Sequence, residues 1–134
     1  MPLQWTDDLC VGVEEIDNQH KELFERIDNL FLAMKQGRGR EEVGALVGFL
    51  EDYIVMHFGT EERYMKEYDY PDSILHRAKH ARFSEEFSSI KGRFGSEGST
   101  VELVMQMKAF LTDWWVNHIR TIDKMLGVFL SRKI

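Results

Sequence analysis

Apolar residues recur three and four positions apart along most of the chain, the pattern of helices that bury one face. The first such stripe runs from Asp17 to about residue 36 through Leu23, Phe24, Ile27, Leu30, Phe31 and Met34, with Asp17 placed to cap it. Residues 41–67 carry Val43, Leu46, Val47, Leu50, Tyr53 and Ile54, and the "DYP" at Pro71 closes that segment. Residues 72–93 carry Phe83, Phe87 and Ile90 before "GRFGSEGS" is expected to break the helix. The last segment, 99–130, opens on Ser99 with Glu102 three positions later, a capping-box pattern. Its inner side is marked by Val104, Leu111, Trp115, Ile122, Met125 and Phe129. Residues 1–16 are mixed and non-periodic, and read as an arm packing through Leu3, Trp5, Val11 and Val13.

Four amphipathic helices with short connections predict an all-α fold, an up-down-up-down four-helix bundle with a short N-terminal arm. At 134 residues, one domain spanning the whole chain is expected.

Composition narrows the partners. A hydrophobic share of 43% beside 30% charged residues is the balance of a globular chain that buries a core. A net charge of -6 without a basic cluster argues against a nucleic-acid surface. No apolar run approaches the roughly 20 residues that span a bilayer, so no membrane insertion is expected. The N-terminus lacks a basic region followed by an apolar stretch, so no secretory leader is expected. Cys10 is the single cysteine and reads as a structural thiol of a reducing compartment, which makes a cytoplasmic location the expectation.

The five histidines change the picture. His20 extends the first stripe, and His57 follows Tyr53 and Ile54, with Glu61 four positions on. His76 and His80 lead into Phe83, and His118 lies between Trp115 and Ile122. All of them fall where the pattern asks for a buried residue. One such histidine is most often a hydrogen-bonded core side chain. Five imidazoles and a carboxylate in one small core would cost many kcal/mol unless something satisfied them, and a metal centre does so.

Residues four apart share a helix face, so His57 with Glu61 and His76 with His80 each offer two donors to one point. Asp123 follows His118 by five, which on a regular helix turns it about 140° away. Either the last helix, 99–130, widens locally there or Asp123 reaches in from the flank of the stripe. A structural zinc site takes four ligands and favours thiolates, whereas seven imidazole and carboxylate candidates suit two ions. Iron is the leading choice, with manganese, zinc or copper as alternatives. Two six-coordinate ions offer about twelve positions. Five histidines, two bridging carboxylates and a solvent-derived bridge fill all but one, enough for a single small ligand.

"DNQH", "HFGTEE", "HRAKH" and "HIRTID" together resemble the hemerythrins, in that order and at family-like separations, from about Trp5 to Phe129. The length is similar to that of single-domain bacteriohemerythrins. The resemblance implies two iron ions. His76, His80 and His118 would hold one, and His20 and His57 the other, which keeps the open position. Glu61, Asp123 and a solvent-derived oxo or hydroxo group would bridge them. It also implies reversible binding of dioxygen for storage, transport or delivery, without catalysis. The alternative readings are an oxygen or redox sensor, or a diiron redox enzyme acting on O2, peroxide or NO.

Apolar neighbours of the open position should keep water out, and Trp114, Trp115, Phe58, Leu23 and Ile119 are the candidate lining. Relatives carry Trp-Leu where this chain has Trp114 and Trp115, so an indole replaces a leucine beside the ligand. Gly59, inside the HxxxE turn, is expected to make room for Trp115.

Overall fold

The computed structural model describes residues 5–133. Leu3, one of the expected arm contacts, lies outside them. Three long helices, α1 (Glu14–Lys35), α2 (Gly39–Glu67) and α3 (Ser73–Glu97), are followed by a fourth, α4, that continues over residues 101–131. The connections are only a few residues long, so neighbours run antiparallel. α1 packs on α2, α2 on α3, and both α2 and α3 on α4. No strand occurs among the described residues. The up-down-up-down bundle expected from the stripes is the fold.

Helix ends differ from expectation in three places, each for a local reason. α1 starts at Glu14, so Asp17 lies inside it rather than capping it. Its carboxylate accepts from the backbone N–H groups of Val11 (2.8 Å) and Gly12 (3.2 Å), tying the arm to the helix. α3 continues past the "GRFG" sequence to Glu97 and stops at Gly98, whose φ of 75° suits glycine. Packing of Phe94 against the core holds those turns despite Gly92 and Gly95, each costing about 1 kcal/mol in a helix interior. α4 is capped by Thr100, not Ser99: the Thr100 hydroxyl accepts from Leu103 N–H at 3.1 Å.

Among the described residues the arm places half-buried Trp5 edge-on to Phe24 and forms a short 3-10 turn at Asp7–Leu9. It then lays Val11 and Val13 against the bundle end, and Lys124 Nζ donates to the Cys10 carbonyl at 2.6 Å.

The core is two apolar clusters. The larger holds Leu23, Ile27, Leu50, Phe58, Phe83, Leu111, Trp115 and Ile119 among others. The smaller, under the arm, holds Val11, Val13, Ile16, Met65, Tyr70, Leu126 and Leu130. The polar residues fall between the two clusters: His20 between Ile16 and Leu23, Glu61 between Phe58 and Met65, His76 and His80 between Tyr70, just before α3, and Phe83, and Asp123 between Ile119 and Leu126. The bundle is therefore layered: apolar, polar, apolar.

Candidate metal centre

The polar layer draws on all four helices. α1 contributes His20, α2 His57 and Glu61, α3 His76 and His80, and α4 His118 and Asp123. All seven are buried. The 3.6-residue pitch places the α2 and α3 pairs on one face each. On α4 the five-residue spacing works because the helix widens to a π turn over Ile119–Asp123, where Lys124 N–H bonds to the Ile119 carbonyl. That brings the His118 Nε2 to 3.0 Å from Asp123 Oδ1. Of the two possibilities left by the spacing, local widening is the one observed. A second π turn, Phe110–Trp115, was not foreseen; it sets the two tryptophans.

The donor atoms gather in two groups. One is Glu61, His76, His80, His118 and Asp123; the other is His20, His57, Glu61 and Asp123, with the donor atoms of each group all within 4.8 Å of one another. Each carboxylate is divided between them. Glu61 Oε1 lies 3.1 Å from His76 Nε2 and 2.9 Å from His80 Nε2, whereas Oε2 lies 3.4 Å from His57 and 3.7 Å from His20. Asp123 Oδ1 lies 3.1 Å from His76 and 3.0 Å from His118, and Oδ2 3.0 Å from His20.

These spacings fit ions. Two ligands at right angles on an ion about 2.1 Å away stand about 3.0 Å apart. Several of the same atoms (Glu61 Oε2, both Asp123 oxygens and His118 Nε2) have no hydrogen-bond partner among the described residues despite that proximity. They converge without being aligned as donor and acceptor, which is what a shared cation asks of them.

Without metal, charge is balanced by protons. Burial would lower the His20 and His76 pKa values, but the Asp123 and Glu61 carboxylates outweigh it and raise both to about 9. Burial would raise Glu61, yet the surrounding imidazoles, His57 first, hold it well below the usual carboxylate range. Burial and the Glu61 charge would raise Asp123, and His118 and His20 likewise hold it low. Burial keeps the His57 pKa below its ordinary value.

Outer partners were missed by the stripe pattern because they lie off it. Gln19 Oε1 is 2.6 Å from His57 Nδ1, while its amide nitrogen donates to Thr60 Oγ1 at 3.1 Å. Tyr53, stacked on His57, donates its hydroxyl to the Gln19 carbonyl. Glu62 Oε2 is 3.2 Å from His80 Nδ1. The only signal for Gln19 and Glu62 was sequence adjacency to a ligand candidate.

The expected lining residues surround the layer. Phe58 lies on His80, and half-buried Trp114 stacks on His118 at 4.9 Å. Trp115 touches rings of both groups, His57 at 5.6 Å and His118 at 6.1 Å. Leu23 and Ile119 are fully buried in the larger cluster. Gly59 corrects an expectation: it is exposed, and a Cβ there would meet nothing within 4 Å, so it makes no room for Trp115.

The sequence matches the family model for the hemerythrin HHE cation binding domain over residues 11–130. The chain belongs to the hemerythrin family. It is 34% identical over 130 residues to the bacteriohemerythrin of Methylococcus capsulatus, covering 96% of this chain and 97% of that protein. It is 35% identical over 121 residues to that of Pseudomonas aeruginosa, covering 90% and 76%. A crystal structure of a hemerythrin with a leucine-to-tyrosine substitution superposes with a TM-score of 0.81 at 32% identity, covering 96% of this chain and 97% of that one. For this member of the family, the buried histidine and carboxylate cluster marks a metal site. No helix among the described residues is long and apolar enough to cross a membrane.

Proposed function

We propose that this hemerythrin binds dioxygen reversibly at a non-haem diiron centre, for storage, transport or delivery. The observation that carries the reading is the division of Glu61 and Asp123, each turning one oxygen to the three-histidine group and the other to the two-histidine group. His76, His80 and His118 would hold one iron and His20 and His57 the other, with Glu61, Asp123 and a solvent-derived oxo or hydroxo group shared between them. Imidazole with carboxylate suits iron. Bound there, the iron pair supplies electrons and Lewis acidity to a small diatomic ligand.

The side chains around the layer favour holding a ligand over transforming it. The buried titratable side chains other than the proposed ligands, among the described residues, are Asp17, Tyr53 and Tyr70. Asp17 is engaged by the arm backbone and Tyr53 by the Gln19 carbonyl. Tyr70 packs in the smaller cluster with its ring edge-on to His76 at 6.4 Å, and none of the three hydrogen-bonds to a proposed ligand. Phe58, Trp115, Leu23 and Ile119 exclude water from the two-histidine side and its surroundings.

The test is direct. Ferrous reconstitution without oxygen should load two irons per chain. Admitting air should then produce a visible charge-transfer absorption that disappears under vacuum and returns with air. Immediate, irreversible bleaching to the oxidised form would instead favour a redox sensor or a diiron enzyme.

A further inference from the structure

Trp115 is the largest side chain in the fully buried core, with 1% of its surface exposed. Its indole Nε1 is buried and has no hydrogen-bond partner among the described residues. A buried tryptophan N–H ordinarily finds an acceptor, because the donor has given up water. An orphan of this kind beside a ligand site is a feature to be explained.

Among the described residues, none offers Trp115 Nε1 an acceptor. The Trp115 ring meets His20 at 5.8 Å and His57 at 5.6 Å with steeply inclined planes, and runs nearly parallel to His118 at 6.1 Å. Its other ring neighbours are Phe58, Phe83 and Tyr53. The phenylalanines have no acceptor atom. Tyr53 turns its hydroxyl to the Gln19 carbonyl. The Nε2 atoms of His20 and His57 point to each other, 3.0 Å apart, and to the carboxylates.

We propose that Trp115 Nε1–H is a hydrogen-bond donor to the exogenous ligand of the centre. The ligands it selects are small ones that carry or acquire negative charge when held there. This inference rests on the diiron reading above and adds a specific residue to it. An apolar side chain at this position could only exclude water and limit size. An indole does both, and it also supplies one fixed donor in a dry site, where a charge-assisted hydrogen bond is strong. Trp115 thus discriminates by charge as well as by shape, and slows escape of the charged ligand more than that of a neutral one.

The experiment uses azide on the full-length, iron-loaded, oxidised protein. Azide is titrated by its charge-transfer absorption, and its stretching frequencies are read by resonance Raman in H2O and D2O. The wild type is expected to show a D2O shift in the bound-azide modes. W115F, which keeps an aromatic ring and removes the N–H, is expected to bind azide about ten- to a hundredfold more weakly and to lose the shift. Iron content is measured beside each titration. Two irons and an azide band in the wild type, with no D2O shift and unchanged affinity in W115F, overturn the role of Trp115 alone. Failure of the wild type to load two irons or form the band overturns the diiron reading, and this inference with it. Should W115F fold poorly, W115L, with the side chain that relatives carry there, takes its place in the same comparison, and a retained shift and affinity in W115L overturn the role of Trp115.

Discussion

Phe58 lies face to face on the imidazole of His80, with ring centroids 3.8 Å apart and planes 4° from parallel. The stack fixes the plane of one proposed ligand and, through Phe83 and Trp115, ties it to the larger apolar cluster. Phe58→Ala should cost about 3–5 kcal/mol of stability, the usual range for emptying a buried phenylalanine site. It should also release iron to a chelator faster than the wild type. Denaturant unfolding of the metal-free protein separates the two effects, and an unchanged release rate would show that the stack has no part in holding the metal.

Gln19 touches no proposed iron position, yet it holds His57 by a 2.6 Å contact to Nδ1. Thr60 fixes which way its amide points. Gln19→Leu should therefore weaken metal binding at the two-histidine group about 10–100-fold, the usual effect of removing such an outer partner. Chelator competition should leave a population with one iron per chain. The corresponding change Glu62→Gln should do less, since the Glu62 side chain is 38% exposed and water can replace it. Equal iron loss in both variants would contradict this ordering.

Gly127 is required by the arm. A Cβ there would stand 1.9 Å from the Val11 carbonyl oxygen and 2.7 Å from its carbon, both backbone atoms that cannot swing aside. Gly127→Ala should push residues 10–13 off the bundle end and cost about 1–3 kcal/mol, the range for overpacking. Limited proteolysis should then cut in the arm before the helices, and a wild-type digestion pattern would refute the expectation.

The metal-free layer predicts a stability maximum near pH 6.5. His20 and His76 are raised to about 9, so the stability they add is complete below about 6.5 and lost as pH climbs to 9. His57 is depressed, so its contribution is lost as pH falls below about 6.5. Glu61 and Asp123 are held low, and their contribution fades as pH drops below about 4. In the loaded protein the metal replaces those imidazole protons, and the alkaline loss should vanish. Thermal unfolding from pH 5 to 9, with and without iron, checks both curves; a flat metal-free profile would be incompatible with these shifts.

The sequence exposed the parts of the fold that repeat. A helical stripe with histidines set into it reports both the buried face and the residues that break its apolar character, so all four helices and the seven donors were legible. What escaped were contacts made across the fold. Asp17 resembles a cap because acids start helices, but its partners are arm N–H groups that only the tertiary fold brings near. Thr100 rather than Ser99 caps α4, a one-residue choice beyond what the pattern specifies. Gln19 and Glu62 sit beside the stripe, where polar residues are ordinary. The glycines before Gly98 looked like a break until Phe94 was seen to hold them in helix. At Gly59 the reverse happened, and a suggestive residue proved to be simply exposed.

The π turn at Ile119–Asp123 does more than bring Asp123 beside His118. It adds one residue's worth of rotation to everything that follows in α4. Deleting a residue there would turn positions 124–131 by about 100° and draw them back about 1.5 Å. Leu126, Gly127 and Leu130 would then leave the faces they now bury, and Val11 would lose its seat along with the second carboxylate. Such a deletion should cost iron content and arm protection from protease together. The turn acts as a phase adjuster, coupling the donor set of the inner layer to the closure of the bundle's end.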